Sequence, residues 1–327
     1  MVEVNSNANT EAVSVILPVL NEERYLESAV NSILQQEFNG EIEVILAIGP
    51  SKDLTHEIAS NLSRKDSRVK IVDNPSGKTA AGLNLAIKNS RNPIIVRVDG
   101  HANIPKNYIS TAVELLRTTG AVNVGGIMAA EGVTPFEMAV AKAMRSPLGV
   151  GAAKFHTGGG AGFVDTVYLG VFKRDALVAA GGFDERFTRA QDWELNFRLR
   201  KNGGQIYFDP RLTVTYRPRR SLAALAKQYF EYGRWRRVVS RTHKGTINYR
   251  YLAPPVTVIA NLFSIIGAFL NSWLLLPIAT YLTFLILAAL LIGKSPKEIL
   301  YLPFVLFTMQ MSWGVGFITS FKRVISS

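Results

Sequence analysis

Ile94-Ile95-Val96-Arg97-Val98-Asp99-Gly100-His101 is the stretch on which the fold turns. A β-branched run stops at an acid, a glycine and a histidine. A short, almost wholly apolar run reads as a strand buried on both faces, as in the middle of a parallel sheet. Ligands of open α/β sheets sit just beyond the carboxyl ends of such strands. A carboxylate and an imidazole two residues apart at that edge can hold a divalent cation, and the cation can hold a diphosphate. The same residues also make an ordinary strand-ending turn. The motif alone leaves both readings open.

Upstream, the pattern repeats. Val13 to Leu17 is an apolar strand that Pro18 is expected to end. Asn21 is placed to cap a helix starting at Glu22-Glu23, whose buried face is Leu26, Ala29, Val30, Ile33 and Leu34. Ile42 to Ile48 is a second strand, followed by a turn at Gly49-Pro50-Ser51 and a helix from Asp53 to Arg64. A strand at Val69 to Val72 and a helix at Lys78 to Lys88 lead into Ile94. Strand and helix alternate with short connections, which predicts a parallel sheet wound right-handed. Beyond Ile104 the pattern predicts helices over 105–117, 134–145, 173–180 and 190–201, and a strand over 121–128. A Gly-rich loop over 146–162 is long enough to act as a flap.

The chain carries a net charge of +12. Its basic residues crowd between Arg217 and Arg250, on a basic, aromatic helix over 221–240, and a very apolar tail follows directly. That placement favours a lipid surface over nucleic acid, since basic residues beside membrane spans mark the cytoplasmic side. Val256 to Leu270, Trp273 to Ile292 and Ile299 to Ile318 are read as three spans; about 20 residues cross a bilayer core, a length the last two have and the first reaches if it begins near Tyr251. Three spans would put Lys322-Arg323 opposite the basic helix, against the charge rule. Intramembrane charge is scarce, which makes a transporter a poor reading. The absence of cysteine excludes disulfides and thiolate metal sites. Residues 1–12 are polar without an apolar core, so a disordered tail is expected and not a signal peptide.

Taken together, five motifs resemble the inverting family 2 glycosyltransferases. Val13-Ser14-Val15-Ile16-Leu17-Pro18-Val19-Leu20-Asn21-Glu22-Glu23 is similar to that family's first strand and its Pro-x-x-Asn-Glu turn. Gly77-Lys78-Thr79-Ala80-Ala81-Gly82-Leu83-Asn84 is similar to the helix start after its third strand, and Val98-Asp99-Gly100-His101 stands in the place of its Asp-x-Asp. Gly181-Gly182-Phe183-Asp184-Glu185 and Gln191-Asp192-Trp193-Glu194-Leu195 are similar to its acceptor-side turn and catalytic segment. The Asp-x-His variant and the apolar tail most resemble enzymes of the succinoglycan or exopolysaccharide type. Two departures stand out. The family's uracil-binding Asp after the second strand is replaced by Ile48, and Asp53, its later acid, is equally a helix cap. Glu231-Tyr232-Gly233-Arg234-Trp235 replaces the Gln-x-x-Arg-Trp of processive synthases.

The resemblance implies an α/β GT-A domain, Rossmann-like and of the nucleotide-diphospho-sugar transferase type, over 13–245. Residues 246–327 would form about three membrane-anchoring helices, a C-terminal helical transmembrane region. The implied donor is a nucleotide-diphosphate sugar, most simply a UDP-sugar, bound by Pro18, Glu22, Lys78 and Asp99. Asp99 and His101 would hold Mn2+ or Mg2+. Asp192 and Glu194 lie about 200° apart on a helix, so only one can face the site. The resemblance selects Asp192 as catalytic base and leaves Glu194, Arg234 and Trp235 on the acceptor side. His156 reads as a loop histidine. The implied activity is transfer of a single sugar to a lipid-linked or growing glycan acceptor at the cell membrane, multi-pass, with the catalytic domain cytoplasmic. The alternatives are a processive polysaccharide synthase and a non-catalytic nucleotide-binding membrane protein.

Overall fold

A computed structural model describes residues 12–151 and 153–321; the expected N-terminal tail up to residue 11 and Lys322-Arg323 lie outside them. The chain divides into two compact units. The first comprises residues up to Ile127 together with Gly160–Val214, and the second Met128–Gly159 together with residues from Thr215 onward.

The first half of the chain runs β1 (Val13–Val19), α1 (Leu26–Leu34), β2 (Ile42–Ile48), α2 (Thr55–Lys65), β3 (Val69–Asp73) and α3 (Thr79–Lys88). It continues with β4 (Ile94–Arg97), α4 (Tyr108–Thr119), β5 (Asn123–Ala130), α5 (Pro135–Met144), α6 (Pro147–Val150) and α7 (Lys154–Thr157). Then come β6 (Gly162–Val164), β7 (Tyr168–Lys173), α8 (Arg174–Ala179), α9 (Gln191–Lys201) and β8 (Ile206–Tyr216). Four long helices follow: α10 (Leu222–Thr242), α11 (Tyr249–Gly267), α12 (Leu276–Ile292) and α13 (Pro296–Ile318).

The strands form one eight-stranded sheet in the order β3-β2-β1-β4-β7-β5-β8-β6. β1 to β4 are parallel, with Val13 opposite both Ile42 and Ile94. β7 runs antiparallel to β4 and β5, and β6 antiparallel to β8. The expectation of a wholly parallel sheet therefore holds for half of it. All of β2 and β4 is buried, as their unbroken apolar runs require.

Pro18 does not end β1 but sits inside it, opposite Ala47. Val98 N–H donates to Ile16 O, so the even-numbered residues of β1 face β4, and the β1–β4 pairing stops at Ile16 and Arg97. Pro18 faces a side where the ladder has already ended, so its missing N–H costs no bond. α1 begins at Leu26, later than the expected start at Glu22, because Asn21 is engaged elsewhere. Its backbone is left-handed at φ 56°, and its Oδ1 accepts the Lys52 N–H at 2.8 Å.

In the second unit α13 packs against α5, α10, α11 and α12. A Cβ at Gly233 would collide with the carbonyl of Trp313, and one at Gly316 with that of Phe230. Only glycine lets α10 and α13 approach this closely. Two helical segments, Ser272–Ile292 and Pro296–Ile318, are long and apolar enough to cross a membrane by length and composition. The apolar part of α11, Tyr251–Gly267, is shorter. The first of the three segments expected to span falls in α11, which closes at Gly267 and leaves Phe269 and Leu270 beyond it.

Candidate active site

The carboxyl end of β4 carries a cluster of three charged side chains, Arg97, Asp99 and Asp192. Arg97, the last residue of the strand, is 6 % exposed at its side chain. Its guanidinium donates to Asp99 Oδ1 at 3.1 Å and forms an ion pair with Asp192. It also lies over the Phe183 ring, 5.6 Å from its centre. Two carboxylates 93 residues apart in sequence thus share one buried cation. Burial works against the charge on Arg97, and the carboxylates of Asp192 and Asp99 outweigh it, so its pKa lies above the ordinary arginine value.

Asp192 is the second residue of α9. The residue before the helix, Ala190, is left-handed at φ 61°, a conformation that costs an L-residue about 1–2 kcal/mol. That bend lets the first turn of α9 meet Arg97. Burial pushes the Asp192 carboxyl up to about 6; Arg97 opposes the rise and Asp99 adds to it. A carboxylate poised there can take a proton near neutral pH.

Glu194 does not share this position. It is buried and grips Arg198 through two bonds of 2.7 Å. Arg198 in turn donates to the carbonyl of Gly182 at 2.7 Å. Glu194 therefore ties α9 to the Gly181-Gly182 turn. The two acids of the segment take different partners on different sides of the helix.

Asn84 of α3 holds the same turn from the other side. Its amide donates to Phe183 O at 2.8 Å and its Oδ1 accepts the Phe183 N–H at 2.8 Å. This fixes the ring on which Arg97 rests. Sequence reasoning placed Asn84 and Phe183 in motifs but gave them no role, and it read Arg97 only as strand. The one available signal for Arg97 was an ionised residue inside a strand otherwise buried.

His101 Nδ1 lies 2.8 Å from Glu22 Oε1, and Glu22 N–H donates to Thr55 Oγ1 at 2.8 Å. Asp53 accepts the Thr55 N–H at 3.1 Å and the Glu23 N–H at 3.2 Å, so it organises this loop at the mouth of α2. Lys78 is the residue before α3 and its side chain is exposed. Pro18 lies in the last residues of β1, and Glu22, Lys78, Asp99 and His101 follow carboxyl ends of the parallel strands.

Among the described residues no group of three or more histidine, aspartate or glutamate side chains gathers as a metal cage. At this edge Asp99 accepts from Arg97 at 3.1 Å and His101 Nδ1 is held by Glu22, which leaves one carboxylate and one imidazole as the donors a cation could use. Arg234 and Trp235 belong to the second unit. Trp235 is buried and donates from Nε1 to Glu231 at 3.1 Å, and Arg234 pairs with the same acid at 3.1 Å. His156 also belongs to the second unit.

The fold and its edge can be set beside known proteins. The glycosyl transferase family 2 model matches residues 14–179. The chain is 31% identical over 269 residues to the succinoglycan biosynthesis protein ExoA of Rhizobium meliloti, covering 82% of this chain and 81% of that one. It is 26% identical over 332 residues to a dolichyl N-acetyl-alpha-D-glucosaminyl phosphate 3-beta-D-2,3-diacetamido-2,3-dideoxy-beta-D-glucuronosyltransferase of Methanococcus voltae, covering 96% and 97%. Among solved structures, the mannosyltransferase PcManGT of Pyrobaculum calidifontis, in complex with GDP-Man and Mn2+, aligns with a TM-score of 0.60 at 20% identity, covering 94% and 86%. The parallel half-sheet with its antiparallel extension is thus the GT-A fold, and by the extent of these matches the chain belongs to glycosyl transferase family 2.

Proposed function

We propose that the protein transfers a single sugar, with inversion, from a nucleotide-diphosphate sugar to a lipid-linked glycan acceptor in cell-surface polysaccharide assembly. The observation that carries this reading is the cluster of Arg97, Asp99 and Asp192 at the carboxyl end of β4. Transfer with inversion is one in-line displacement. Asp192 takes the proton of the acceptor hydroxyl as that oxygen attacks the anomeric carbon, and the bond from that carbon to the diphosphate breaks. Arg97 holds the Asp192 carboxylate in place and keeps its pKa below what burial alone would give. Asp99 and His101 are the residues that would hold Mn2+ or Mg2+, which supplies positive charge to the leaving diphosphate. Glu22 orients His101 through its ring nitrogen, and Lys78 adds a cation at the same strand edge.

The donor is read as a UDP-sugar on the family resemblance. The lipid-linked acceptor draws support from the dolichyl phosphate named for the Methanococcus relative, and polysaccharide assembly from the ExoA relative. The two long apolar helices support a membrane enzyme, and the basic α10 supports a cytoplasmic catalytic domain. A processive synthase is disfavoured because Glu231, standing where such enzymes carry Gln, is used internally by Trp235 and Arg234. A set of nucleotide sugars assayed for diphosphate release, with and without membrane lipid extract, tests the reading. Release dependent on lipid and on a divalent cation, with one sugar added per acceptor, is expected. Binding of a nucleotide sugar without turnover would point to a non-catalytic role, and long products to a processive one.

A further inference from the structure

α9, eleven residues long, carries Asp192, and Ala190 at its cap has no side chain that could close the first turn. The rotation of the helix about its axis is therefore set from its sides. On one side Glu194 and Arg198 fix it to the carbonyl of Gly182. On another it is held by Asn196, which lies one turn after Asp192 and shares its face. Asn196 is buried. Its Oδ1 accepts from Asn123 Nδ2 at 2.7 Å, and its Nδ2 donates to Thr166 Oγ1 at 2.9 Å.

This arrangement costs stability. Asn123 is wholly buried at the start of β5, and its Oδ1 has no hydrogen-bond partner among the described residues. Around it the sheet is irregular. The pairing of β5 with β7 shifts register between Val124 and Gly126, and β7 is left-handed at Leu169 (φ 60°) and Gly170 (φ 100°). A Cβ at Gly170 would stand 2.6 Å from Asn123 Oδ1, so the amide has room only because residue 170 is glycine. Apolar side chains at 123 and 196 would need no partner and would be rewarded by burial. Strain and an unmatched acceptor that stability does not require are what a functional constraint leaves behind.

What the amides offer over apolar side chains is a single answer to how α9 is turned. Hydrogen bonds have direction and accept one rotation, whereas apolar contacts tolerate repacking. That rotation decides whether the Asp192 carboxylate, one turn back on the same face, meets Arg97. We propose that the buried chain Asn123–Asn196–Thr166 is a positioning device for the reaction: Asn196 fixes the rotation of α9, and so keeps the Asp192 carboxylate on Arg97 and aimed at the acceptor hydroxyl. The proposal rests on the reading of Asp192 as the base and adds the residues that hold it in place.

The test is a double-mutant cycle on the full chain in lipid nanodiscs. It reads nucleotide diphosphate release from the nucleotide sugar that is active in the assay above, with membrane lipid extract as acceptor. Asn196→Ala should lower kcat about ten- to hundredfold, the scale of a misplacement near 1 Å, with KM for the nucleotide sugar unchanged. In the Asp192→Asn background the same change should lower kcat by less than about twofold, because the carboxylate it positions is gone. Asn92→Ala is the control. It removes another buried amide, one that donates to Val13 O at 2.9 Å just before β4, so it should lower the melting temperature and leave kcat unchanged. If Asn196→Ala does not fold, Thr166→Val, which removes one bond of the chain, takes its place with a loss of about threefold expected. Unchanged kcat in the variant, an equal fold-loss in both backgrounds, or a loss of the same size in Asn92→Ala would overturn the proposal. Full turnover in Asp192→Asn would instead overturn the reading of that residue as the base.

Discussion

The carboxyl end of β4 and the cavity of the helical unit treat polarity in opposite ways. At β4 a buried arginine is shared by two carboxylates, and charge is concentrated where the proposed reaction would move a proton and release an anion. Among the described residues that line the cavity, Tyr251, Tyr281 and Trp313 included, none is an aspartate, glutamate, lysine or arginine, and His156 Nδ1 has no hydrogen-bond partner. Preorganised charge in a water-poor site stabilises a transition state, whereas an uncharged aromatic wall can only hold a ligand. The difference separates a charged strand edge in the first unit from an aromatic-lined cavity in the second.

Asp192→Asn is expected to have the largest effect. It keeps the shape of the side chain but cannot accept the acceptor's proton, so turnover should fall about 10²–10⁴-fold. Nucleotide diphosphate affinity, measured by calorimetry, should change little. Loss of both together would mean that Asp192 belongs to donor binding and would blur the division between the two regions. Glu194→Gln sharpens the contrast within one helix. It weakens the charged bonds to Arg198, each worth about 1.5–3 kcal/mol, so the melting temperature should fall while turnover drops far less than in Asp192→Asn.

Gly316→Ala probes the second unit. The added methyl forces α13 away from α10, and overpacking of this kind costs about 1–3 kcal/mol. Thermal unfolding should report that loss, with nucleotide diphosphate binding retained. Ala190→Gly should have the smallest effect. It relieves the left-handed strain before α9 but adds freedom to the unfolded chain, so stability should shift by less than about 1 kcal/mol. A large loss on that change would mean that the Ala190 methyl contributes packing which the bend does not reveal.

The parallel half of the sheet was legible because each strand is an unbroken apolar run and each helix has a clear buried face. Ile42 to Ile48 was delimited to the residue. β7 and β8 were not legible. Gly170 interrupts the first, and Asp209-Pro210-Arg211 interrupts the second with residues that usually mark a turn. Asp209 is instead satisfied inside the strand region by Arg211, through bonds of 3.1 and 3.0 Å. At the site, Asp99, His101 and Asp192 could be named because each lies in a short local motif. Arg97 could not be given a role, since its partner Asp192 is 95 positions away and only the folded sheet brings them together. The cavity was equally hidden: its rings come from α7 and from α10 to α13, and no local pattern links Tyr251 to Trp313 or His156.

The central claim is that the Arg97-paired carboxylate of Asp192 is the base. The most direct measurement is the pH dependence of kcat/KM, which reports groups of the free enzyme. A base must be ionised to act, so a raised pKa moves the acid limb upward. The limb should fall at about pH 6, the value to which burial brings Asp192, and not near the ordinary aspartate value of about 4. In Asp192→Asn the residual activity should lose that limb. An acid limb near 4 in the unmodified enzyme, or a limb at 6 that persists in Asp192→Asn, would contradict the account.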